Sequence, residues 1–326
     1  LHLYLQQFKD SLLVPLMKGA ANVSLPINKL ADVEIEVPSL ERQLEIIALE
    51  EEASELKNEL EERLIAQNGD VLKLRQALLK EAIQGKLTIQ NQSDGNAKDL
   101  LEKIKAEKII LGINEKALDK IREDQIPFNI PGNWEWSRLA TITNFIDYRG
   151  KTPNKVDSGV KLITAKNVKF GYFSNEPEEY ISERDYAPHM TRGIPNIGDI
   201  LFTTEAPLGN ACLLNCKEKF ALAQRIITIQ PILFDNKYLL YSILSEVIQK
   251  QLIEKQSGVT AKGIKSSRLL EVLIPLPPIA EQKRIVKKLE QLMKLCDEMQ
   301  YSILQSKIEN EKLLQGALRD ALKKEE

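Results

Sequence analysis

Apolar residues recur through residues 39–87 at helical spacing. Leu49, Ala53, Leu56 and Leu60 are separated by four, three and four positions, the step of a coiled-coil seam. Ser39 after Pro38 supplies a cap and Gly85 a stop. The pattern predicts one helix over 39–87, about 70 Å long at the usual rise per residue, loosened in its middle by Gly69-Asp70. A second long helix is predicted over 278–326. There Ile285, Leu289, Leu292, Cys296, Met299 and Ile303 keep the four–three rhythm, which then shifts to Leu314, Leu318 and Leu322. Pro275, Pro277 and Pro278 keep its approach extended. Each seam is longer than one small domain covers, so the two helices are expected to pack on each other.

Between the helices the period changes. Residues 88–126 read as a connector with a turn cluster at 91–95 and a short amphipathic helix at 98–111. Trp134 and Trp136, two apart, suit a strand that opens a new domain. Short β-type runs follow at 161–164, 199–203, 211–214 and 225–230, then a helical segment at 236–255. A Gly/Ser/Thr/Lys loop at 257–263 carries no acid and precedes a last strand at 273–276.

The end of the chain repeats its beginning. Residues 1–87 align without a gap on 240–326, an offset of 239. Gly19 falls on Gly258, Leu30 on Leu269, Gln43 on Gln282, Ile46 on Ile285, Gln76 on Gln315 and Ala82 on Ala321. A solenoid unit spans roughly 20–50 residues, so this is a duplicated domain-plus-helix unit. The chain holds the tail of one copy and the whole of the other. A pseudo-two-fold molecule is expected, with the helices antiparallel and a ligand that is itself bipartite. The predicted segments are 1–38, 39–87, 88–126, 127–277 and 278–326, and the fold class is α+β.

Composition adds little until charge is located. The net charge of −2 does not mark a nucleic-acid binder. Yet residues 147–169 hold six basic side chains and two acids, residues 250–268 hold five and one, and residues 41–62 hold nine acids and two bases. Positive charge sits in the globular part and negative charge on a helix. A local patch is what phosphate contact needs, although any single run also reads as a solvated face. Cys212, Cys216 and Cys296, with two histidines, complete no tetrahedral metal set and read as structural thiols in a reducing cytoplasm. No apolar run reaches the length of a membrane span. The chain opens on Leu1, which suits a fragment of a longer product.

No phosphate loop, nucleophile elbow or metalloprotease pair is present. The chain reads as a binding module. Its candidate DNA contacts are Arg149, Lys151, Thr152, Lys155, Lys166, Asn167, Lys169, Thr204, Arg225, Thr260, Lys262 and Lys265. Arg forks onto guanine and Asn onto adenine; Lys and Thr hold phosphates. Each is equally a surface or strand-end polar residue, and Arg225 also suits a buried structural role.

The ordered set Gly132-Asn-Trp-Glu-Trp-Ser-Arg-Leu139, Tyr148-Arg-Gly-Lys-Thr-Pro153, Gly198-Asp-Ile-Leu-Phe-Thr203, Leu222-Ala-Gln-Arg225, Pro275-Leu-Pro-Pro-Ile-Ala-Glu-Gln-Lys-Arg-Ile285 and Leu313-Leu-Gln-Gly-Ala-Leu318 resembles the specificity subunits of type I restriction-modification enzymes. The likeness covers essentially the whole chain. It implies a non-catalytic subunit whose target recognition domains each read half of a bipartite double-stranded DNA site. It implies two helices in an antiparallel coiled coil that dock methyltransferase subunits and, through them, restriction subunits. S-adenosylmethionine, ATP and Mg²⁺ would serve those partners, and no cofactor is expected in this chain. One recognition domain, 127–277, is complete; of the other only residues 1–38 remain. The chain is thus expected to act within a larger product, or as a homodimer, with a DNA-free coiled-coil scaffold as the competing reading. Residues 1–32 are expected to be poorly ordered or packed in a borrowed position.

Overall fold

The computed structural model describes residues 1–18, 24–35, 37–113, 118–150, 152–257 and 262–322. It forms two compact units, Leu1–Lys73 with Leu295–Glu326, and Leu74–Lys294. Both long helices, Leu40–Ile83 and Ile279–Ala321, pass through both units.

In the first unit, short helices His2–Gln7, Lys9–Leu12 and Ile27–Ala31 precede the long one. Residues 1–18 and 24–32 are therefore largely helical. Ser39 caps the long helix, its Oγ accepting from Arg42 N at 3.3 Å. The helix does not break at Gly69. The two long helices run antiparallel here, because Arg42 Nη2 donates to Ala321 O at 3.2 Å while Gln300 Nε2 donates to Asn68 Oδ1 at 3.1 Å. The predicted seam is only partly used: Leu49, Leu56 and Met299 are 45%, 53% and 50% exposed. A strict four–three rhythm drifts around a straight helix by about 20° per heptad, and Leu49 and Met299 rotate outward while Leu56 lies at the rim of a groove. Leu56, Leu60 and Leu64 face Leu313, Leu314 and Ala317 across an apolar groove of about 290 Å³.

The second unit carries ten strands among the described residues: β1 (Glu135–Arg138), β2 (Thr143–Asp147), β3 (Lys155–Val156), β4 (Val160–Ile163), β5 (Tyr180–Ile181), β6 (Ile200–Thr203), β7 (Ala211–Leu213), β8 (Phe220–Leu222), β9 (Ile226–Pro231) and β10 (Leu273–Leu276). One antiparallel sheet has the order β2-β9-β6-β7. A mixed sheet has the order β3-β5-β4-β8, with β4 and β8 parallel. β1 pairs antiparallel with β10.

Strand alternation builds the core in two layers. Ile200 and Phe202 of β6 pack with Ile227, Ile229, Tyr238, Leu239, Ile285 and Leu289 on the helical side. Leu201 points the other way, joining Ile146, Cys212, Leu162, Ile163 and Leu222 between the two sheets. The fold is α+β, as the periodicity predicts. The helix predicted over 236–255 is two helices, Asn236–Leu244 and Glu246–Glu254. Ser245 turns extended between them, and its Oγ caps the second by accepting from Ile248 N.

The duplication holds at atomic detail. The bridge Lys18–Ser24 maps by the 239-residue offset on Ser257–Gly263. Helix Ile27–Ala31 maps on Ser266–Leu269, within one residue of its end. Gln43 Nε2 donates to Pro38 O at 2.8 Å, and Gln282 Nε2 donates to Pro277 O at 2.8 Å.

Candidate nucleic-acid interface

Three strand ends meet at one edge of the antiparallel sheet. Asp147 at the end of β2 lies opposite Ile227 of β9, and Thr203 at the end of β6 lies opposite Ile226. Gly263 and Ile264, beyond helix Glu246–Glu254, join this edge. Gly263 bridges both Ser257 and Glu205, and Ile264 N donates to Thr204 O at 2.9 Å. The approach is close: a Cβ on Gly263 would stand 3.1 Å from Thr204 O.

Arg149 is held here rather than free. Its Nε and Nη2 donate to the Asp147 carboxylate at 2.9 and 2.7 Å, and Nη1 donates to Ile264 O at 3.3 Å. Burial works to raise the Asp147 carboxyl, but hydrogen bonds from Arg149 outweigh it, with Ser266 adding to them, and hold it below the usual carboxylate range. Arg192 Nη1 donates to Asp147 O and Arg149 O at 2.6 and 3.0 Å, which ties the turn down and adds a cation that the sequence did not single out. Thr152 Oγ1 donates to Gln224 Oε1 at 2.6 Å. Arg225 is not buried; its side chain is 51% exposed and ion-paired to Glu205 at 3.0 Å. Lys262 and Lys265 are exposed and have no ion pair among the described residues.

A turn spanning 168–173 flanks the same edge. Asn210 Nδ2 donates to Val168 O at 3.0 Å, and Gly171 N donates to Ala211 O at 2.9 Å. Lys169 begins this turn, and exposed Phe170 and Tyr172 stand on it. Exposed aromatics beside cations can stack on bases. Farther along, on the mixed sheet, Lys155 and Lys166 share Glu179 at 2.6 and 3.4 Å. Burial favours the neutral Glu179, but Lys155 and then Lys166 overcome it and keep the carboxyl below its ordinary range.

Two of the predicted contacts serve the fold instead. Asn167 is buried; Oδ1 accepts from Thr164 N at 2.8 Å, and Nδ2 donates to Ser174 O and Pro177 O at 3.1 and 3.0 Å. Its amide is spent on closing a loop. Thr204 is buried too, with Oγ1 donating to Arg225 O at 3.4 Å. Lys151 and Thr260 lie outside the described residues.

No group of His, Cys, Asp or Glu among the described residues could hold a metal ion. Cys212 is a buried free thiol, pushed up to about 12 by burial. No helix of the described residues is long and apolar enough to cross a membrane.

Comparison with known proteins places this architecture. Residues 131–310 match the type I restriction modification DNA specificity domain. The type I restriction enzyme EcoAI specificity subunit of Escherichia coli is 27% identical over 269 residues, covering 78% of this chain and 46% of its own. The EcoEI specificity subunit of the same organism is 26% identical over 266 residues, covering 76% and 43%. The chain thus spans less than half the length of these relatives. A structure described as showing complex assembly and conformational transition of the type I R-M system aligns with TM-score 0.64 at 20% identity, over 98% of this chain and 67% of its own. The HsdS subunit of Thermoanaerobacter tengcongensis aligns with TM-score 0.50 at 19% identity, over 97% and 67%. With more than half of its length matched, the chain belongs to the type I restriction-modification DNA specificity family.

Proposed function

We propose that this chain confers DNA-sequence specificity on a type I restriction-modification assembly, with residues 127–277 reading one half of a bipartite site. The observation that carries this reading is the cation-bearing edge. Arg149, Arg192, Arg225, Lys262 and Lys265 converge there from four separate segments, against the carboxylates Asp147 and Glu205. Residues 262–266 and the turn 168–173 form the rim, and the strand ends give the reading side chains a rigid base. Lys155, Lys166 and Lys169 extend the positive surface along the backbone track. In this reading the chain performs no chemistry. The exposed apolar residues of the long helices, Leu40, Leu44 and Ile47 on one and Leu304 and Leu313 on the other, serve to dock methyltransferase subunits, and restriction subunits join through those.

The test is a salt titration of duplex binding. Each phosphate contact contributes about 0.9 to the slope of log affinity against log salt. Changing Lys262 and Lys265 together to Ala should flatten that slope by about 2 and weaken binding to all sequences alike. A slope unaltered by the double change would remove these residues from the interface. The absence of any salt-dependent duplex binding would remove the function.

A further inference from the structure

Glu205 is anomalous at this edge. A carboxylate repels phosphates, so an interface made only for the backbone would exclude it. Its partner does not explain it through stability, because an ion pair with side chains 36% and 51% exposed contributes little to folding. Nor is its position a loose one. Glu205 lies two residues past the end of β6 and Arg225 immediately precedes β9; the two strands pair with Thr203 opposite Ile226. Thr204 N donates to Arg225 O at 3.2 Å, and Glu205 bridges Gly263. Both side chains therefore leave backbone fixed on either side by ladder hydrogen bonds.

We infer that Glu205 and Arg225 form a base-reading couple for a single C·G pair in the major groove. The inference rests on the DNA-reading function proposed above and names the residues that give it sequence preference. The contact at 3.0 Å runs from Glu205 Oε1 to Arg225 Nε. It leaves both terminal nitrogens of the guanidinium to fork onto guanine O6 and N7. The second carboxylate oxygen is left to accept from cytosine N4. The ion pair keeps the two side chains together before DNA arrives, so less side-chain freedom is lost on binding. Glu205 then acts mainly by rejection. A thymine or guanine in the cytosine position presents an acceptor to a carboxylate, and two acceptors facing each other are penalised.

The experiment selects bound duplexes from a pool with a randomised 20-base-pair centre, using the full chain, Glu205→Gln and Arg225→Lys, with a salt titration of each. The full chain should enrich a C·G pair at one position. Glu205→Gln should bind the pool more tightly overall, yet lose discrimination at that position by on the order of 10- to 100-fold. Arg225→Lys keeps the charge and loses the fork, and should relax the same position by a similar factor. Thermal unfolding of both variants should match the parent. If either variant selects the parental motif undiminished while salt-dependent binding persists, the couple is not a reader and the inference fails alone. If the parent shows no salt-dependent binding, the DNA-reading function fails and takes the inference with it.

Discussion

The two copies of the repeat share a backbone and differ in what covers them. Leu269 is 1% exposed and Leu276 is fully buried; their counterparts Leu30 and Val37 are 41% and 72% exposed. Residues Leu273–Leu276 form a strand because β1 lies beside them, whereas 33–35 and 37–39 form none. Helix, bridge and the glutamine hydrogen bond survive in both. Local structure in this unit is thus encoded within the repeat, while burial comes from the domain that precedes it.

Unequal stability is the sharpest consequence. Leu269→Ala removes a side chain from the main core and should cost about 2–5 kcal/mol. Leu30→Ala should cost under about 1 kcal/mol, since it gives up little buried area. Urea unfolding followed by far-UV circular dichroism, which sees the helices of both units, reads the difference. Equal midpoints for the two variants would show that the copies are equally covered.

The shared glutamine gives a smaller contrast. Gln282 is fully buried, and its Oε1 also accepts from Asp235 N at 2.8 Å. Gln282→Ala strands the buried Pro277 O and the half-buried Asp235 N and should cost about 1–3 kcal/mol. Gln43→Ala exposes its partner to water and should cost about 0.5 kcal/mol. Circular-dichroism melts of the two variants would rank them.

The smallest effect is in pH. Glu281 is buried where the first copy has Arg42. Burial raises its carboxyl above the usual 4.5, against hydrogen bonds from Trp134, Gln90 and Thr88. The folded chain therefore binds this proton more tightly than the unfolded one. Its contribution to stability is complete below pH 4.5 and declines as pH rises through the higher folded value. Glu281→Gln should remove that slope between pH 4.5 and neutrality, whereas Arg42→Ala should leave it intact. Tryptophan-monitored midpoints across this range check both.

Much of this was legible in the chain. The repeat and the long helices follow from period and capping, and the Ser39 cap forms as read. Four of the described strands lie outside the predicted runs: β3, β5 and β8 span two or three residues, too few for alternation to register, and the polar Thr143, Asn144 and Asp147 hide β2. Asn167 and Thr204 looked like surface polar residues because sequence does not reveal which loop a polar side chain closes. Glu205 and Arg192 lie outside the cation runs at 147–169 and 250–268. Glu205 matters through pairing with a residue twenty positions away, and Arg192 through the backbone of a turn on another segment.

The bridged loop that recurs at Lys18–Ser24 and Ser257–Gly263 has one further meaning. Where the later copy carries Lys262 and Lys265, the earlier carries Val23 and Pro26. The frame recurs and its charge does not, so the local surface potential can be rewritten by exchanging a few side chains while the backbone beneath keeps its shape.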